Sequence, residues 1–230
     1  MKVLFNDKGQ NVLQRVSDEE IEDGVFYVPE GIDVLGANLF KGNPNLKKLV
    51  LSNSVVEIKD FALFKCEALE EIVLSKKLNK LGKSVFSFTT IESISFPNGV
   101  VEIPEGTCAF CPCLKKVELG KSVKKIGNNA FSFCGNLKEI NLPYFLETIG
   151  ESAFHECKSL KEISAESVKE IGRFAFAECK NLRKVTISEI TQVGEGAFIE
   201  CPQDMKLYEA MFLVKNEIDP TTHRELFSKK

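Results

Sequence analysis

Apolar positions recur along this chain every 22 or 23 residues. Aligned on an apolar residue usually followed by glycine, the copies fall at Leu35, Ile58, Leu81, Ile103, Ile126, Ile149, Ile171 and Val193. Self-similarity at a fixed period predicts stacked coils, because no single unit this short buries its own apolar face. Each column has a physical reading. Three residues before the anchor stand Ile32, Val55, Leu78, Val100, Val123, Leu146, Val168 and Ile190. Directly after it stand Gly36, Gly82, Gly127, Gly150, Gly172 and Gly194, with Lys59 and Pro104 as exceptions. Glycine there implies either a positive φ or a close approach of two chain segments. Five after the anchor come Phe40, Leu63, Phe86, Cys108, Phe131, Phe154, Phe176 and Phe198, a stacked core spine. Eight after it come Asn43, Cys66, Thr89, Cys111, Cys134, Cys157, Cys179 and Cys201.

An L-x-x-I-x-L segment closes each copy, as in Leu137, Ile140 and Leu142. Its period-two alternation marks a short strand. These strands predict one parallel sheet on the inner, concave face. The glycine-to-cysteine segment predicts 3₁₀ or irregular turns on the outer face. A second ladder of very short strands is expected around the anchors. The third copy lacks one residue before Ile91. The expected organisation is one continuous domain: a cap over 1–34, eight repeats over 35–208 and a cap over 209–230. The first cap reads as a β-hairpin over 2–16, turning at Asp7-Lys8-Gly9, followed by a truncated coil. The last reads as a short helix after Asp219-Pro220, through His223 to Phe227.

The cleanest copy runs from Cys134 to Leu142, then Leu146, Ile149-Gly150 and Ala153-Phe154. This resembles the BspA-like class of leucine-rich repeats, over residues 24–208. The resemblance implies a leucine-rich-repeat solenoid, a right-handed α/β-type superhelix of mostly short parallel strands. It also implies adhesion or protein–protein recognition at a bacterial or protist surface, with no catalytic residues to carry over.

Composition narrows the function. A net charge of −3 calls for neither nucleic acid nor an anionic membrane. No apolar run is long enough for a transmembrane helix, so membrane insertion is not expected. The first eleven residues lack the apolar core of a signal peptide, so a cytoplasmic location is expected if Met1 is the native start. The resemblance implies the alternative, a cell-surface or secreted protein. Six of the eight cysteines share the inward column and read as small buried hydrophobes. Cys108, Cys111 and Cys113 fall within six residues. They form a weaker candidate for a zinc or redox site, with Cys134 or His155 as a fourth ligand. Otherwise no metal and no cofactor is expected.

Two histidines, His155 and His223, stand in no recognisable triad, and no phosphate-binding loop occurs, so an enzyme is not expected. The expected role is a non-enzymatic protein-interaction module, with glycan or cell-wall binding by the concave face as the alternative. Three surfaces are candidates. The concave face presents two stripes, Lys48, Glu71, Ser93, Lys116, Glu139, Glu162 and Lys184 beside Val50, Val73, Ser95, Glu118, Asn141, Ser164 and Thr186. Lys48 with Glu71, Lys116 with Glu139 and Glu162 with Lys184 are expected to pair across strands, each contributing about 0.2–1 kcal/mol. Aromatic platforms for sugars are missing from this face. A basic edge runs through Lys115, Lys138, Lys161 and Arg183. On the outer turns, Phe88, Phe110 and Phe133 share the column seven after the anchor. They form either an exposed apolar patch or an inward-packed row.

Overall fold

The computed structural model describes residues 1–188, 190–211 and 214–218, with residues 208–211 and 214–218 described by backbone alone. The chain is a β-solenoid of stacked coils. Among the described residues the single helical element is one 3₁₀ turn, Asp18–Glu20. Two parallel ladders run along it. One is built of two-residue strands at the anchors, Val34–Leu35, Glu57–Ile58 and Lys80–Leu81, then Glu102–Ile103, Lys125–Ile126, Thr148–Ile149, Glu170–Ile171 and Gln192–Val193. Anchors pair in register, as Ile126 with Ile149 and Ile149 with Ile171. The hairpin of Lys2–Phe5 and Asn11–Arg15 extends this ladder at its start, pairing Leu13 with Leu35.

The second ladder is built of the I-x-L segments. It is not the one continuous sheet the pattern predicts. It divides into Val25–Tyr27, Lys48–Val50 and Glu71–Val73; then Ser93–Ser95, Lys116–Glu118 and Glu139–Asn141; then Glu162–Ala165, Lys184–Ser188 and Lys206–Met211. The first break falls where the third copy is one residue short before Ile91. The anchor ladder breaks at the same junction, between Lys80–Leu81 and Glu102–Ile103. There Pro104 stands where other coils donate an N–H to the preceding anchor's carbonyl. Gly82 gives that bond to Ile58 at 2.7 Å and Gly127 gives it to Ile103 at 2.7 Å. Proline has no N–H to give.

The outer segments are hydrogen-bonded turns rather than 3₁₀ helix, and they form a third ladder. Asn38, Phe40 and Gly42 donate to the next coil's Asp60, Ala62 and Phe64. Leu39, Lys41 and Asn43, lying between them, donate back within their own coil. Every N–H of this stretch thus finds a partner, as buried backbone requires. Two residues per coil adopt positive φ, such as Asn129 and Phe133 at 55° and 59°. The glycines after the anchors do not. Their role is the close approach: a Cβ on Gly82 would lie 2.3 Å from the Asp60 nitrogen, and one on Gly127 2.7 Å from the Glu105 nitrogen.

One apolar core runs from Leu13 to Leu207. The ring spine stacks nearly parallel from Phe131 to Phe154 to Phe176 to Phe198, with centroids 5.1–5.5 Å apart. Ile190 departs from its expected place and is 67% exposed. In this last coil Thr191 takes the position instead. Its N–H bonds the Ser188 carbonyl, as that of Val168 bonds Ala165, and its hydroxyl bonds the Val168 carbonyl. At the far end the strand Lys206–Met211 pairs antiparallel with Val214–Ile218. The helix expected through His223 to Phe227 lies outside the described residues.

Candidate functional site

The strand face holds part of its charge in local pairs. Lys48 and Glu71 meet at 2.8 Å, as their register predicts. Lys116 turns along its own strand to Glu118 at 2.8 Å instead of across to Glu139, and Ser95 donates to the same carboxylate. These contacts raise the Lys48 and Lys116 ammoniums and lower the Glu118 carboxyl, through the hydrogen-bonded partner first. Glu162 and Lys184 stand opposite in register without closing an ion pair. Ser93, Glu139, Asn141 and Ser164 are exposed. Thr186 is not: flanked in register by Ser164 and Tyr208, it is 2% exposed and drops out of the contact stripe. Among the residues whose side chains are described, the face carries one aromatic that the pattern missed. Tyr27, 67% exposed, lies in register with Val50 and Val73. It belongs to the truncated coil, which the column alignment leaves out.

The basic edge is weaker than its composition. Lys115 is bound to Glu92 at 2.8 Å, and Arg183 lies 3.6 Å from Asp204. Among the described residues Lys138 and Lys161 are exposed without an ion pair.

The outer turns carry the most developed surface. Phe88, Phe110 and Phe133 all take the left-handed conformation, at φ 60°, 57° and 59°. Their rings stack face to face, 4.6 Å from Phe88 to Phe110 and 4.5 Å from Phe110 to Phe133, within 7° of parallel. Phe110 and Phe133 are each 40% exposed, and Phe88 is half-buried. The row therefore faces outward. It is also longer than the column: Phe64 meets Phe88 edge-on at 5.4 Å, and Phe61 meets Phe64 at 5.6 Å. The Lys41 ammonium sits 5.6 Å from the Phe64 ring and that of Lys65 sits 5.6 Å from Phe88, cation–π distances. Phe61 and Phe64 escaped the sequence pattern because they stand three and six after their anchor, not seven. A separate exposed pair, Tyr144 and Phe145, follows Pro143 in a turn that is polar in most coils.

The cysteine column is a hydrogen-bond ladder. Each thiol donates to a backbone carbonyl of the coil before: Cys66 to Phe40, Cys134 to Cys108, Cys157 to Phe131, Cys179 to Phe154 and Cys201 to Phe176, at 2.9–3.2 Å. Burial raises the Cys66 thiol to about 11 and that of Cys201 to about 12, and pushes Cys108, Cys134 and Cys179 well above the usual thiol range. Cys108 fills the ring-spine position, Cys111 donates to the Phe86 carbonyl at 3.1 Å, and Cys113 is half-buried. Among the described residues, these three sulfurs do not come together as a ligand set. His155 lies on the outer turn against Phe133, and His223 lies outside the described residues. No described helix is long and apolar enough to cross a membrane.

Residues 24–113 and 92–206 match the family described as BspA type leucine rich repeat region, in six copies. No curated protein matches the sequence. Among solved structures, a leucine rich repeat protein of T. pallidum is 20% identical at a TM-score of 0.63, covering 99% of this chain and 94% of its own. A leucine rich cell surface protein from Faecalibacterium prausnitzii is 22% identical at a TM-score of 0.55, over 90% of this chain. The chain spans 63% of that protein's length. A leucine-rich repeat protein from Bacteroides ovatus is 18% identical at a TM-score of 0.55, over 90% of this chain and 69% of its own. At these identities the likeness is one of fold.

Proposed function

Because the chain belongs to the BspA-type leucine-rich repeat family, we propose that it is a non-enzymatic scaffold displayed at a cell surface. In this proposal it binds a protein partner through the ring column of its outer turns. The observation that carries this reading is the unbroken row Phe61, Phe64, Phe88, Phe110 and Phe133, held on a rigid ladder with two lysines over its first half. Aromatic side chains lose little entropy on binding and dominate contact energetics. Fixed backbone beneath them lowers the ordering cost of association further. The strand face supports the reading less well, because Lys48 and Glu71, and Lys116 and Glu118, already satisfy one another there. The F. prausnitzii relative is described as a cell surface protein. That description favours a surface over the expected cytoplasmic location.

The test compares the wild-type chain with a Phe110→Ser, Phe133→Ser double variant. Both are immobilised, partners are recovered and identified, and each interaction is then titrated by calorimetry with purified components. The double variant is expected to bind at least about tenfold more weakly, the loss of one central aromatic contact. A Lys116→Ala, Glu139→Ala variant of the strand face is expected to bind as the wild type does. A partner that loses affinity through the strand-face variant and not through the ring variant overturns the proposal.

A further inference from the structure

The aromatic column ends at a group of different chemistry. The His155 ring meets Phe133 edge-on at 5.1 Å. Its Nδ1 atom is buried and, among the described residues, has no hydrogen-bond partner. One ligand atom each of His155, Glu156 and Glu178 lie within 4.8 Å of one another. We infer that this corner, built from two successive outer turns, is a binding site for a divalent transition-metal ion of the zinc class.

The chain sets the site up by its period. Glu156 and Glu178 occupy the same column in consecutive coils, both with left-handed backbone, φ 62° and 59°. Stacking therefore brings two carboxylates together, and each repels the other unless a cation stands between them. Lysines neutralise part of this charge. Lys158 lies 2.5 Å from Glu156, and Lys180 lies 2.7 Å from Glu200 and 3.8 Å from Glu178. Neither lysine gives His155 Nδ1 a partner. A buried polar atom left unpaired is costly, and an imidazole lone pair is a strong metal ligand. Both lysine side chains are more than two-fifths exposed, so an arriving ion returns them to water without unburying anything.

One imidazole and two carboxylates form a nitrogen–oxygen set that suits Zn²⁺ and its neighbours Co²⁺ and Mn²⁺. The all-oxygen cage preferred by Ca²⁺ and the thiolates preferred by Cu⁺ are both different sets. Tetrahedral zinc with bonds of about 2.1 Å needs ligand atoms about 3.4 Å apart. An ion held there therefore requires the three atoms, now within 4.8 Å of one another, to close to that spacing by side-chain rotation. A cavity of about 360 Å³, lined by His155, Glu178, Ser152, Phe174 and Glu200 among others, gives access from solvent. Three protein ligands leave a further coordination position open to water or to a carboxylate of another molecule.

The experiment titrates Zn²⁺ and Co²⁺ into the chelator-treated, reduced full chain. Calorimetry reads affinity and stoichiometry, and the Co²⁺ spectrum reads ligand type. One equivalent per chain is expected, with no thiolate-to-cobalt charge-transfer band. His155→Ala and Glu178→Gln are each expected to weaken binding at least about tenfold while circular dichroism and melting stay as in the wild type. Lys158→Ala is expected to tighten binding by about threefold or more, since it removes a competitor for Glu156. A purely structural salt-bridge role does not predict that gain. Failure of the wild-type chain to bind either ion overturns the site. So does unchanged affinity in both His155→Ala and Glu178→Gln, or a charge-transfer band showing that the free cysteines hold the ion.

Discussion

In every complete coil two residues take a left-handed backbone conformation, and most of them are not glycine. Asn38, Phe61, Ser84 and Phe174 do so at one position, and Lys65, Phe110 and Glu178 at the other. An L-residue gives up roughly 1–2 kcal/mol there, and the ladder bonds on either side offset that cost. The glycines that follow the anchors stand elsewhere, where neighbouring backbone leaves no room for a Cβ. Periodicity showed the glycine column but not which of its two meanings applied, because local sequence carries no record of the coil above. Gly127→Ala is therefore expected to cost about 2–3 kcal/mol, as overpacking against fixed backbone does, read by urea denaturation. The thiols make a second residue-scale case. Cys66 rises from 9.0 to about 11 on folding, so the folded state holds its proton where the unfolded state releases it. Stability from this group is complete below pH 9 and falls as pH rises toward 11. The slope is about 1.4 kcal/mol per pH unit for each such thiol. Denaturation midpoints measured from pH 8 to 11 should fall, and Cys66→Ala should flatten the slope.

The elements are short, two to six residues, and their strength lies in repetition. The alternation at Ile140 and Leu142 and the anchors at Ile126 and Ile149 were legible because each column projects to one side of a strand. Three features were not. The hydrogen-bonded ladder of the outer turns has no apolar period of its own. The break after Glu71–Val73 depends on a single missing residue, which is visible in the repeat spacing while its effect on strand pairing is not. The break at Pro104 depends on which N–H the neighbouring coil requires. That junction leaves Lys80–Leu81 as an edge strand inside the molecule. Edge amides open more readily than central ones. The Leu81 amide is expected to exchange faster than those of Ile58 and Ile126, as hydrogen exchange followed by mass spectrometry or NMR would show.

At the scale of the whole molecule, one apolar core passes through both breaks, so the coils behave as a single rigid support. The architecture was legible from eight copies of one pattern. The surface was legible in part. The Phe88, Phe110 and Phe133 column stood out, but whether it faced outward did not, because polarity alone does not give the direction of a left-handed residue. Phe61, Phe64 and Tyr27 were hidden by lying off the chosen columns. His155, Glu156 and Glu178 were hidden because their meeting is made by stacking two coils. The strand face, rich in charge along the sequence, proved self-paired only in part, at Lys48 with Glu71 and Lys116 with Glu118.

A partner seated on the ring column must shield the rings of the outer turns from solvent. Hydroxyl-radical footprinting of the chain, alone and saturated with its purified partner, reads side-chain accessibility residue by residue. Oxidation of Phe110 and Phe133 is expected to drop sharply on binding, with Tyr27, Val50 and Val73 unchanged. Protection of Tyr27, Val50 and Val73 with Phe110 and Phe133 still oxidised would contradict it.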